Sequence, residues 1–302
     1  MKGKLLFLLF SFCGFIFQAM AQGDLLITPT RVVFEGNKQR EEFNLVNMGK
    51  DTTTYSISFL HYNQTVSGGY AIIEKTDSLQ MSAEPYLRIF PRTVTLAPQE
   101  PQVVMVQYRR KSDMKPGEYR SHLYFRSEKD YRPLLNKNDD TLKIVMVKLI
   151  PIYGISIPVI IRTGEMKVNT SFSNLKLENQ KDSIFALKLA INRAGNCSTY
   201  GDLIVDYFPA KGKSCEVGKI KGVKVFTNLN KLSVAINLRL NPGMDLKNGK
   251  LRIRYTNSDD SKNTVYTEAI IPLTEQPTIA QGATIDQKNE KGNQRIEQRK
   301  NH

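Results

Sequence analysis

Histidine and cysteine are scarce in this chain of 302 residues, with three of each. One histidine is the terminal His302. The other two, His61 and His122, stand in strand-like segments without the spacing of a metal site. Neither lies in a nucleophile context such as G-x-S-x-G. A glycine-rich phosphate loop is also missing, and "SGGY" at 67 to 70 reads as a hairpin turn. Asp139-Asp140 and Asp259-Asp260 fall in turn sequences, where solvation and Asx turns account for acidic residues. No catalytic residue, metal ligand or cofactor site can be nominated. The chain reads as a binding protein and not as an enzyme.

Acidic residues are outnumbered by basic ones, 29 to 43, for a formal net charge of +14. The first residues, "MKGKLLFLLFSFCGFIFQAMAQGD", have a basic start at Lys2 and Lys4 and an apolar stretch from Leu5 to Phe17. Ala19-Met20-Ala21 follows as an A-x-A cleavage site. Residues 1–21 are therefore expected to be a signal peptide, too short in its apolar part for a membrane anchor. Bulky Phe12 before Cys13 argues against lipidation. Cleavage would remove Lys2 and Lys4 and lower the charge from +14 to +12. An exported protein does not meet nucleic acid, and the basic residues are not clustered with aromatics into a stacking platform. The charge reads as a solvated basic surface. Two cysteines remain, Cys197 and Cys215; the pair permits a disulfide, with burial as free thiols as the alternative.

Helical periodicity is nearly absent. Short alternating runs broken by Gly, Asn, Asp and Pro point instead to an antiparallel all-β protein. Phe43, Leu45 and Asn47 share a face, "NMGKD" makes a turn, and Tyr55, Ile57 and Phe59 alternate with polar neighbours. Tyr119, Ser121, Leu123 and Phe125 lie on one face of "GEYRSHLYFRS". Turn signals every eight to fifteen residues indicate β-sandwiches. The polar stretch 127–141 reads as a long loop. After it comes "LKIVMVKLIPIYGISIPVIIRTGE", the longest apolar run of the mature chain. Lys143, Lys148, Pro151, Gly154 and Pro158 exclude a membrane helix there and favour a long strand or strand pair. An exposed apolar edge of this kind invites pairing with a strand of another protein, or with a second copy. The expected organisation is one sandwich over 22–163, a second over 164–275, and a disordered polar tail over 276–302.

At the level of whole segments the chain resembles the periplasmic pilus (fimbrial) chaperones, the PapD-like family. "ITPTRVVFEG" resembles the family's first strand, with an arginine ahead of an apolar run. "EEFNLVNMGKDTTTYSISF" resembles the next strand pair, with Asn47 and Tyr55 in familiar places. "LRIFPRTVTLAPQEPQVVMVQY", "KPGEYRSHLYFR" and "GISIPVIIR" resemble later strands of the first domain. The likeness covers about residues 25 to 163, with a looser match at "NRAGNCSTYGDLIVDY". It implies two immunoglobulin-like domains set at an angle around a cleft, and no cofactor. It also implies a pilus or fimbrial subunit as partner, with an outer-membrane usher receiving it in the periplasm.

In such proteins the last strand of domain one fills the subunit's missing-strand groove, and two basic residues hold the subunit's terminal carboxylate. Arg31 matches the first of these. Pro158 stands where the second, a lysine, is expected; Arg162 or Lys148 could replace it, with Arg162 the nearer in sequence. For the pairing strand the odd set Val145, Val147 and Leu149 is favoured over Leu142, Ile144 and Met146. Alternation counted back from Pro158 supports the odd set, and the even face soon meets Lys148. A structural or adhesive surface protein built from Ig-like sandwiches is the alternative function.

Overall fold

The computed structural model describes residues 25–74, 80–128, 152–179, 185–240, 246, 248–258 and 264–273. Residues 1–21, the pairing residues Val145, Val147 and Leu149, Lys148 and the tail 276–302 lie outside the described residues.

Ten strands build the first sandwich: β1 (Leu25–Thr28), β2 (Val32–Phe34), β3 (Arg40–Asn47), β4 (Thr53–Gln64), β5 (Tyr70–Ile73), β6 (Leu87–Phe90), β7 (Thr93–Leu96), β8 (Pro101–Tyr108), β9 (Gly117–Glu128) and β10 (Gly154–Thr163). One sheet runs β1-β3-β8-β6 and the other β2-β10-β9-β4-β5, with β7 also paired to β4. Seven strands build the second: β11 (Val168–Asn179), β12 (Phe185–Gly195), β13 (Thr199–Pro209), β14 (Cys215–Val225), β15 (Lys231–Leu238), β16 (Gly249–Asn257) and β17 (Val265–Leu273). Its sheets run β11-β12-β15 and β14-β13-β16-β17. Apart from one 3-10 turn, the regular elements among the described residues are all strands, in two β-sandwiches in sequence.

Period-two alternation is what makes these strands. In β3, Phe43, Leu45 and Asn47 are all fully buried. Asn47 caps the turn that follows. Its Nδ2 donates to the carbonyls of Asp51 (2.8 Å) and Leu96 (2.9 Å), and its Oδ1 accepts from the Gly49 N–H at 2.9 Å. Phe43 packs on Phe125 and Phe34 on Tyr108, with ring centroids 6.0 and 5.9 Å apart. Buried side chains of this size contribute about 1.5–3 kcal/mol each.

The chain changes sheets between Thr28 and Val32. β1 pairs antiparallel with β3, whereas β2 pairs parallel with β10. Arg31 is the last residue of that crossover. In β10 the odd residues Ile155, Ile157, Val159 and Ile161 pack into the first core. The even residues Ser156, Pro158, Ile160 and Arg162 therefore take the other face. Pro158 sits at the end of the parallel ladder, a position proline tolerates.

Register separates the two readings of the cysteine pair. Cys197 and Cys215 are both free thiols. Thr199 faces Val225 and Tyr207 faces Cys215, so the two cysteines stand near opposite ends of the β13–β14 ladder. Ten residues of strand separate them, roughly 30 Å, against a Cα separation of about 4.4–6.8 Å in a disulfide.

Candidate functional site

The register of β2 on β10 sets the site. Val159 lies beside Val32 and Ile160 beside Val33, so one step back brings Arg31 beside Pro158. Val32 takes the core-facing side, which leaves Arg31 on the outer face with Pro158. From there its guanidinium reaches the second sandwich and lies 4.5 Å from the centroid of the Tyr200 ring. Tyr200 pairs across β13–β14 with Lys224. Directly opposed residues share a sheet face, so Arg31 and Lys224 meet at the same tyrosine. The site is a seam between the two sandwiches.

β9 supplies its floor. Tyr119, Leu123 and Phe125 face the first core, as alternation requires. The opposite face carries Glu118, Arg120 and His122, and these are also buried, at 2%, 3% and 7% exposure. The second sandwich covers them. The Arg120 guanidinium carbon lies 4.0 Å from the Phe226 ring centroid and the His122 ring 6.2 Å from it, while Tyr62 of the first sandwich packs edge-on against His122 at 4.8 Å.

Glu118 ties the seam together. Its Oε1 accepts from Arg120 at 2.8 Å; its Oε2 accepts from Arg162 Nε at 3.3 Å and from the Ser198 hydroxyl and N–H at 2.7 and 3.1 Å. Arg120 also donates to Ser198 Oγ at 2.7 Å. Burial alone would raise the Glu118 pKa. The charges of Arg120 and Arg162 and the Ser198 hydroxyl overcome it and hold the carboxyl below its usual range.

Gln64, at the end of β4, makes a second tie. Its Nε2 donates to the Lys224 carbonyl at 2.9 Å, and its Oε1 accepts from the Phe226 N–H at 2.8 Å. The side-chain amide thus imitates a strand added to the end of β14. Asn228 completes the clasp by donating to the Gln64 carbonyl at 3.0 Å. Beyond it, the Ser233 N–H donates to the Val66 carbonyl at 2.8 Å.

Among the expected anchors, Arg31 reaches the seam and Arg162 does not share its surroundings. Arg162 has the same parity as Pro158 but sits four residues further along β10, about 13 Å at strand rise. Its guanidinium is engaged by Glu118 and, at 3.6 Å, by Glu35. The cations grouped with Arg31 are Arg120 and Lys224, which sequence reasoning missed.

His61 assembles a constellation that could pass for a hydrolase triad. Its Nε2 is 2.9 Å from Glu84 Oε2 and its Nδ1 is 3.4 Å from Ser121 Oγ. Ser121 is fully buried, however, and its Oγ accepts the N–H groups of Ala83 (3.1 Å) and Glu84 (3.0 Å). A hydroxyl with its lone pairs engaged and no access is not a nucleophile. The arrangement pins the short 3-10 turn Glu84–Tyr86 to β9.

His122 gives the seam a pH signature. Burial, with the charges of Arg120, Lys224 and His61 acting in the same direction, lowers its pKa from 6.5 to about 3. The folded chain then binds fewer protons here than the unfolded chain between those values, so stability falls as pH falls through that window. From pH 7 to 5 the loss from this residue is about 2 kcal/mol. Urea unfolding at the two pH values should show it in the native protein and much less in His122→Asn.

No protein-family model matches the chain, and no curated protein does. Among solved structures it is similar to the class 5 fimbriae chaperone CfaA, at 12% identity over 82% of this chain and 100% of that one, with a TM-score of 0.44. It is also similar to the CsuC–CsuE chaperone–tip adhesion subunit pre-assembly complex from archaic chaperone-usher Csu pili of Acinetobacter baumannii. There the identity is 14% over 84% of this chain and 100% of that chain, with a TM-score of 0.42. A third is the Pseudomonas aeruginosa CupB2 chaperone, at 11% identity, 82% and 100% coverage and a TM-score of 0.38.

Proposed function

We propose that this chain is a periplasmic assembly chaperone, which binds a pilus or fimbrial-type subunit one to one and delivers it to an outer-membrane usher. The observation that carries the reading is the position of Arg31. It stands at a sheet crossover, on the outer face of the first sandwich, at a seam lined by further cations. There it is placed to hold the subunit's terminal carboxylate, an interaction that fixes register while a paired strand supplies buried area. Val145, Val147 and Leu149 are the residues proposed to fill the subunit's groove. They share the odd parity of Ile155, Ile157 and Val159, the core-facing residues of β10. Subunit folding onto the donated strand supplies the driving force, and strand exchange releases the subunit.

Capture of a pilin-like subunit encoded by an adjacent reading frame tests this. Co-expression and co-purification should recover a one-to-one complex from the periplasmic fraction. Arg31→Ala and Val147→Glu should each lower capture by about tenfold or more, the first by losing a charge-assisted hydrogen bond of about 1.5–3 kcal/mol and the second by putting an unpaired charge into an apolar groove. Undiminished capture by both variants would sink the mechanism, and recovery of the chain at the cell surface would favour an adhesive role.

A further inference from the structure

Lys224 is a cation placed where a second arm for the same ligand would have to come from. Pro158 itself brings no charge to stand beside Arg31. His122, opposite Pro158 on β9, is neutral in the folded chain because of its depressed pKa. Arg120 is spent on Glu118 and Ser198. Lys224 differs from these: it is half-buried on β14, and among the described residues the charges that act on it are those of Arg120 and Arg31, with no carboxylate. Burial lowers its pKa, and the charges of Arg120 and Arg31 lower it further. An arriving anion would relieve both costs.

Its backbone is fixed from two directions. Gln64 grips the Lys224 carbonyl from the first sandwich. Beneath, the buried Tyr255 hydroxyl bridges Thr199 Oγ1 and the Val223 carbonyl, each at 2.9 Å. Thr199 and Val223 are the chain neighbours of Tyr200 and Lys224, so Tyr255 supports both sides of the pair. This is the kind of second layer that holds a binding group in place before the ligand arrives.

We infer that Lys224, from the second sandwich, is the partner of Arg31 in a carboxylate site that spans the seam, with the Tyr200 ring as the platform between them. The inference rests on the carboxylate reading of Arg31 given above. It adds that the ligand touches both sandwiches, so the anchor reads their relative position as well as the carboxylate. Arg31 offers a planar fork and Lys224 a point charge, a combination suited to one main-chain carboxylate.

Chemical-shift titration of the full chain with an N-acetylated Val-Thr-Val-Thr peptide bearing a free terminal carboxylate tests it, with the peptide's C-terminal amide and inorganic phosphate as controls. Lys224→Gln is expected to weaken carboxylate binding about tenfold or more while leaving the melting temperature unchanged, and Lys224→Arg to restore most of the loss. The amide should bind both native protein and Lys224→Gln equally weakly. If Arg31→Ala weakens binding and Lys224→Gln does not, the second arm is wrong and the reading of Arg31 stands. If neither does, both are wrong. Phosphate binding as tight as the carboxylate peptide overturns the assigned ligand class.

Discussion

Glu118→Gln is expected to destabilise the folded chain by about 3–5 kcal/mol at pH 7, the cost of breaking a buried ion pair by removing one partner. The substitution keeps the side chain's volume, so the loss is electrostatic. It leaves the buried Arg120 guanidinium without its carboxylate, and Arg162 with the exposed and more distant Glu35. The Ser198 hydroxyl and N–H also lose a charged acceptor. Urea unfolding monitored at the tyrosines measures the effect, and a loss under about 1 kcal/mol would mean that the network behaves as an exposed ion pair. The pH dependence has a defined sign. The Glu118 carboxyl is depressed in the fold, so its contribution is present above its ordinary pKa near 4.5 and fades as pH falls through the folded value. In native protein this loss lies at lower pH than the one due to His122. Glu118→Gln should shrink the pH dependence below about pH 4.5, where His122 still contributes, and leave the part between pH 5 and 7.

Much of the architecture was legible because a sandwich core repeats one simple rule. Phe43 and Leu45, or Tyr119, Leu123 and Phe125, announce their inner face by alternation, and the structure buries them. Arg31 was legible through the resemblance of its segment to a known strand, though nothing local shows where its guanidinium goes. The seam was not legible, for a physical reason. Glu118, Arg120 and His122 occupy the polar alternate face of β9, which in a lone sandwich would meet water. What buries them is the second sandwich: Ser198 and Phe226 lie roughly 80 to 110 residues downstream. Lys224 in "KIKGVKV" likewise looks like one more solvated lysine in a basic chain. The available clue was three ionisable residues on one face of a strand whose other face is aromatic and aliphatic. The cysteine pair stayed open between a disulfide and two free thiols for a different reason, since cysteine count says nothing about register.

Gln64→Ala should cost about 2–6 kcal/mol, because the Phe226 N–H and the Lys224 carbonyl each lose their partner in a buried setting, at about 1–3 kcal/mol apiece. Gln64 is 4% exposed, so water does not readily take its place. The larger expectation concerns how this loss combines with that of Glu118→Gln. The two side chains share no hydrogen-bond partner, and independent sites of that kind usually add to within about 0.3–0.5 kcal/mol. Yet both connect the same two sandwiches. Glu118 holds β9 to the residues just before β13, and Gln64 holds β4 to the end of β14. Once one tie is cut and the seam opens, the other has less to hold, so the double variant should fall short of the summed losses by about 1 kcal/mol or more. Strict additivity would instead show two separate attachments, with the seam passive. A cooperative seam has a functional consequence under the proposed carboxylate site. Arg31 and Lys224 belong to different sandwiches, so their spacing is only as fixed as the junction. Gln64→Ala should then weaken binding of the free-carboxylate peptide while leaving both cationic side chains in the sequence and removing only the grip on the Lys224 backbone, and leave the amide peptide's weak binding where it was.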